Sequence, residues 1–260
     1  MLREYFRIVS MFVVLSIFFV FGIVRVELKA AEPSPAKRVL KLDNEPVTDS
    51  ELDKIITDNP ELVELTLSGT KITDAGLEHI IRLKKLRKIR LSKTTITDAA
   101  GAKLAKIPTL QDIDVSQSGF GDAGFAELKG LTKLKSVNVY LTNVTDAGLG
   151  TLKDFASVKM LTRLNVDLCR ISDAGTSKIV ALENLQWLHL GGTAITDAAA
   201  KEIIKLKNLK DVIVTKTEFT QAGTELLRKN LPDCKIQDNV SNNITNEQIK
   251  QAKELRQKKK

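Results

Sequence analysis

With 260 residues, 43% of them hydrophobic and only 5% aromatic, the chain can bury a core, and that core must be aliphatic. A net charge of +8 would suit a nucleic-acid binder, but residues 1–30 hold four cations against two acids and residues 246–260 hold six against two, so only +2 is left for the middle. No basic stripe able to follow a phosphate backbone exists there, which excludes nucleic acid as a partner.

Arg3 and Arg7 precede an uncharged apolar run, Ile8 to Val24, and small residues follow at Ala30 and Ala31. A positive start, an apolar middle and small residues at the end make a secretory signal. Leu28 or Lys29 would lie three residues before the cut, and neither is small. The apolar run is also at the short end for a bilayer span. A cleaved signal peptide and an uncleaved membrane anchor both stay open for residues 1–31. Either exports the remainder, to the periplasm or the exterior, or leaves it tethered outside the cytoplasm. Residues 32–38, opening with EPSPA, read as a stiff linker.

From residue 39 a period takes over. Asp49, Asp74, Asp98, Asp122, Asp146, Asp173 and Asp197, then Gln221, recur at steps of 25, 24, 24, 24, 27, 24 and 24. Leu62, Leu86, Leu110, Leu134, Leu161, Leu185 and Leu209 open seven clear units with the pattern L-x-x-L-x-L. A degenerate unit precedes them at Val39 to Leu52, and an incomplete one ends near Ile236. Within each unit the fourth and sixth positions, such as Leu188 and Leu190, share one face of a strand. A helical spacing follows, as in Leu77, Ile80, Ile81 and Leu83. The Thr of each T-D pair is expected to cap that helix, with the Asp at its positive end. A row of capping carboxylates is not a metal cluster, and the following Gly, twice replaced by Ala100 and Ala199, answers a need for small size rather than for positive φ. The ninth position holds Thr70, Thr94, Ser118, Thr142, Cys169, Thr193 and Thr217, expected to hydrogen-bond the backbone of the adjacent turn as a ladder.

These repeats resemble the leucine-rich repeat family, in the subtype with Thr or Cys where the commoner pattern has Asn. Their ITDAG motifs, at Ile72–Gly76 with variants at Val144–Gly148 and Ile171–Gly175, are similar to those of exported bacterial repeat proteins. They are similar too to the repeats of eukaryotic F-box proteins, whose ubiquitin-ligase role is not carried over. The resemblance covers about residues 39–236. It implies an α/β fold, a right-handed leucine-rich repeat solenoid (a horseshoe arc) with its parallel sheet on the concave face and helices on the convex face. It implies binding of another protein through the concave sheet. The three extra residues of the longest step fall within Asp154–Lys159 and should lengthen the convex side. The register sets Cys169 and Cys234 three strands apart, roughly 14 Å, beyond disulfide reach, so two free, buried thiols are expected.

Positions three, five and seven of each strand face the concave side. Three consecutive units place Asn138, Tyr140, Arg163, Asn165, Asp167, Trp187 and His189 there, flanked by Leu141 and Leu168. Trp187 is the chain's single tryptophan, and exposed Trp, Tyr and Arg are typical of binding hot spots. His189 and Asp167 are near neighbours, but their hydroxyl candidates, Tyr140 and Thr215, lack an oxyanion turn, and the set is not a metal-ligand pattern. No catalytic residue, metal or cofactor is expected. Residues 237–260 form a polar loop and a basic helix, with Asn246 as cap and Ile249, Ala252 and Leu255 as an apolar stripe covering the open end of the core. Beyond a protein partner, two contacts are expected: a membrane tether through the amino-terminal segment and an anionic envelope surface through the basic tail. A structural envelope protein without a discrete ligand and a glycan or cell-wall binder remain the alternatives to protein recognition.

Overall fold

The computed structural model describes residues 38–258. The expected signal or anchor and nearly all of the expected linker lie outside the described residues. The described residues group as one compact unit.

The elements alternate as strand and helix. The strands are β1 (Val39–Lys41), β2 (Glu64–Thr66), β3 (Lys88–Arg90), β4 (Asp112–Asp114), β5 (Ser136–Asn138), β6 (Arg163–Asn165), β7 (Trp187–His189), β8 (Asp211–Ile213) and β9 (Lys235–Gln237). They form one open, nine-stranded parallel sheet in chain order. The pairing has no slip: Leu65, Ile89, Ile113, Val137, Leu164, Leu188 and Val212 are partners in sequence across seven strands. All seven are buried, as are the sixth-position residues from Leu67 to Val214. Register is strongly specified here, because a slip of one residue would turn every aliphatic side chain out of the core.

Between strands run short helices of three to ten residues, partly of 3-10 form. Each is too short to stand alone in water, and each is held by a buried stripe such as Leu77 and Ile80, or Leu149 and Leu152. The extra residues after Leu152 do not simply bulge outward. Phe155 turns into the core at 2% exposure and its ring lies 5.3 Å from that of Phe125. The insertion thus fills space between repeats, and Ser157 is buried beside it with no hydrogen-bond partner for its hydroxyl among the described residues.

The Asp row works differently from the expectation. Thr145, Ser172, Thr196 and Thr220 do cap, each accepting from the N–H two residues on; Thr73 and Thr97 make the same bond but do not cap, since Gly76 and Asp98 stand at the cap positions of their helices. The carboxylates, however, reach forward into the next repeat. Asp122 accepts from the Thr145 N–H at 2.7 Å and from its hydroxyl at 2.6 Å. Asp49, Asp74, Asp146, Asp173 and Asp197 hold the following Thr or Ser in the same two-pronged way. Asp98, which faces a Gly instead, accepts from the Gly121 and Gly124 N–H groups. The row is a chain of clasps between repeats. At Gly76, Gly148, Gly175 and Gly223 a Cβ would overlap the carboxylate of the preceding repeat, while Ala100 and Ala199 hold the same place beside the clasps of Asp74 and Asp173.

The hydroxyl row, by contrast, bonds within its own repeat. Thr70, Thr94, Ser118, Thr142, Thr193 and Thr217 donate to the carbonyl three residues before them, closing their own turn. The thiol of Cys169 crosses, donating to the Val139 carbonyl of the preceding repeat at 3.0 Å. Cys169 and Cys234 are free and buried, and burial pushes both thiols up to about 11, so neither is a nucleophile at neutral pH.

The carboxyl-terminal helix runs from Asn246 to Lys258. Its cap is Thr245 rather than Asn246: the Thr245 hydroxyl accepts from the Gln248 N–H while the Gln248 side chain accepts from the Thr245 N–H. Its buried face carries Ala252 and Arg256, whereas Leu255 is 45% exposed. Arg256 donates to the Gly192 carbonyl at 2.8 Å and Lys253 pairs with Glu218 at 2.9 Å. The helix therefore straps along the turns that follow β7 and β8, two repeats in from the end of the sheet. Two of the tail's cations are thereby occupied within the fold.

Candidate functional site

The polar face of the sheet, away from the helices, carries the candidate residues. Registry sets Asn138 beside Asn165 and Arg163 beside Trp187, with Asn165 beside His189. Tyr140 and Asp167 stand one row further along, in the turns after β5 and β6. A depression of about 190 Å³ lies across these strands. It brings together five of the seven residues, Asn138, Arg163, Asn165, Trp187 and His189, with three that the sequence did not single out: Arg90, Asp112 and Ser136. Tyr140 and Asp167 are outside it. The missed residues lack aromatic character, but one signal was available in position three, where Ser136 is the smallest side chain between Asp112 and Arg163.

The hydrogen bonding orients the lining. Asn138 Oδ1 accepts from the Tyr140 N–H at 3.0 Å and Asn165 Oδ1 from the Asp167 N–H at 2.9 Å. Asp114, at the same position of β4, accepts from Ser116 and pairs with Arg90 at 3.0 Å. The Arg163 guanidinium lies 4.8 Å over the Trp187 ring, a cation–π contact that holds a long, exposed side chain in place. Lys88 is taken up by Glu64 at 2.9 Å.

His189 Nδ1 and Asp167 Oδ2 are 3.9 Å apart, too far for a hydrogen bond. Burial holds the imidazole below its usual range, with Asp211 opposing and Arg163 reinforcing the shift, so His189 is neutral at pH 7. Burial raises Asp167 to about 7 against the N–H donated by Gly191 and the charge of Lys216. Among the described residues no three His, Cys, Asp or Glu are grouped to hold a metal ion. The arrangement offers fixed amides, one stacked guanidinium and a carboxylate on a rigid floor, which is equipment for binding.

The turn after each strand shapes the edge of this face. Its eighth residue is left-handed throughout, with φ from 50° to 70° at Gly69, Lys93, Gln117, Leu141, Leu168, Gly192 and Lys216. Its N–H donates to a backbone carbonyl of the next repeat, for example Leu141 to Asp167 and Leu168 to Gly191, except at Lys216, whose N–H donates to Asn239 Oδ1. At Gly192 a side chain is barred twice, since a Cβ would overlap Leu168 and crowd Ala252 of the terminal helix.

The "Leucine Rich repeat" family profile matches residues 58–80 and 159–180. No curated protein matches the sequence. Among solved structures, an internalin (inlF) from Listeria monocytogenes is 21% identical with a TM-score of 0.57, over 70% of this chain and 49% of its own. An internalin C2 from the same organism is 19% identical with a TM-score of 0.58, over 76% of this chain and 80% of its own. The chain thus spans about half the length of the first and four fifths of the second, and at this identity the likeness concerns the fold. The repeat register, the single parallel sheet with its alternating helices and these matches agree on a leucine-rich repeat solenoid as the fold of this chain.

Proposed function

We propose that the solenoid is a non-catalytic recognition module, exported from the cytoplasm, that binds a protein partner through the concave sheet face around Arg163, Trp187 and His189. The observation that carries this reading is the Arg163–Trp187 stack beside a polar depression on a floor of paired strands. Trp and Arg on a pre-organised surface bind with little loss of side-chain freedom. The apolar run before the repeats supports export, to the periplasm, the exterior or a membrane tether.

The test is affinity capture from the native envelope, comparing the wild-type chain with the triple variant Tyr140→Ala, Trp187→Ala and His189→Ala. Loss of the captured protein from the variant is the expected result. A partner retained undiminished would place binding elsewhere. Capture of nothing by either form would favour a structural envelope role.

A further inference from the structure

Resting on that reading of the concave face, we propose that the depression between β4 and β7 anchors a carboxylate side chain of an extended partner segment on Arg163, and that Asp112 receives a basic side chain two residues away. Three observations converge on this chemistry.

Arg163 has no carboxylate partner among the described residues, whereas Lys88 and Arg90 on the same face are already paired with Glu64 and Asp114. Its stacking on Trp187 presents a planar fork of donors, the geometry that matches a carboxylate two-fold.

The two neighbouring amides are donors as well. Each of Asn138 and Asn165 has its Oδ1 occupied by a backbone N–H, which fixes the amide the right way round. Neither Nδ2 has a partner among the described residues. The two residues face each other across β5 and β6, and Arg163 lies two positions before Asn165 on the same face. Three sets of donors with one positive charge select an anion over a neutral group.

Asp112 supplies the second charge. It makes no ion pair among the described residues, and it stands across Ser136 from Arg163 in the register Asp112, Ser136, Arg163. Two strand spacings separate them, about 9–10 Å. An extended segment presents every second side chain on one face at about 6.5–7 Å, and the flexible ends of Glu and Lys span the difference. The depression, about 190 Å³, has room for side chains rather than for a folded element.

Trp187 is the chain's single tryptophan, so its fluorescence reports on this site alone. The experiment titrates the intact chain with the blocked peptide acetyl-Gly-Glu-Gly-Lys-Gly-amide, and with analogues carrying Gln for Glu or Gln for Lys. A saturable change in the millimolar range is expected for the first. Replacing its Glu by Gln, or Arg163→Gln in the protein, should weaken binding by at least about tenfold. Asp112→Asn should erase the preference for Lys over Gln. Circular dichroism of both variants, which alter side chains on the sheet surface, checks that the fold is kept. Binding of the neutral analogue as tight as that of the parent, indifference to Arg163→Gln, or no saturable response to any peptide would overturn the proposal. Indifferent peptides together with loss of capture in the triple variant would sink this inference and leave concave recognition standing. Undiminished capture would sink the recognition reading itself.

Discussion

Asp122→Ala tests whether the Asp row joins repeats or serves its own helices. In the structure the carboxylate takes the Thr145 N–H at 2.7 Å and the Thr145 hydroxyl at 2.6 Å, one repeat downstream. Hydrogen bonds to a charged group contribute about 1.5–3 kcal/mol each, and the half-buried setting places these toward the low end. Losing both, with one N–H left unmatched, should cost about 2–4 kcal/mol, a fall in Tm of roughly 5–12 °C for a domain of this size. An Asp that merely complemented its own helix dipole would be worth about 0.3–1 kcal/mol and would be screened by salt. Denaturant unfolding of Asp122→Ala, Thr145→Val and the double variant forms the cycle. A coupling energy of about 1 kcal/mol or more is expected, since both substitutions act on one interaction. Strict additivity, or a cost for Asp122→Ala below about 0.5 kcal/mol, would refute the clasp.

Four further outcomes follow from the same structure. Phe155→Ala should cost about 3–5 kcal/mol by calorimetry, because its ring is buried against Phe125; a bulging, unpacked insertion would lose almost nothing. Gly101→Ala should destabilise severely, since its Cβ would strike the backbone of Gly124, whereas at Gly130 a Cβ would meet nothing within 4 Å, so Gly130→Ala should melt without loss in the same assay. Asp167, raised to about 7 by burial, binds its proton more tightly folded than unfolded. Its contribution is complete below about pH 4 and lost as pH rises through about 7. His189, held low by burial, slopes the other way. The difference between wild type and Asp167→Asn across that window should isolate the Asp167 slope. Arg256→Ala, which deletes the donor to the Gly192 carbonyl, should raise hydrogen exchange in residues 246–258 while leaving β2 to β6 protected.

What was legible in the sequence was whatever repeats. The buried positions of each strand, from Leu65 to Val214, announce themselves because a parallel sheet in chain order imposes the same demand every 24 residues or so, and the demand is for aliphatic volume alone. The Asp column was visible but its partner was misplaced. A carboxylate beside a helix start suits that helix in isolation, and only stacking shows that the nearest free N–H belongs to the next unit. The hydroxyl column failed in the opposite sense, since its bonds are local where a ladder between turns was expected. The left-handed eighth position left almost no trace, because Lys, Gln and Leu occupy it as well as Gly. A left-handed non-glycine residue costs on the order of 1 kcal/mol, and here its N–H is rewarded by a bond to the neighbouring repeat. The strapping helix obeys no period at all, and its buried Arg256 defeats a stripe drawn through apolar residues.

The same reasoning separates scaffold from site. A residue that the stacking demands recurs in its column, so a residue that departs from its column is free of the scaffold. Along position three the column reads Glu64, Lys88, Asp112, Ser136, Arg163, Trp187 and Asp211, with no common chemistry, yet it is held in strict register by the strands beneath. Within it Glu64 and Lys88 satisfy one another, and Gln237 donates to Asp211 at 3.0 Å. Asp112 and Arg163 are left as opposite charges on either side of a serine, without an ion-pair partner among the described residues. Folding does not require either charge, and solvation alone would not hold the Arg163 guanidinium over the Trp187 ring. That stack orders a flexible cation at an entropic cost, and the cost is offset when a ligand carboxylate meets a guanidinium already in position.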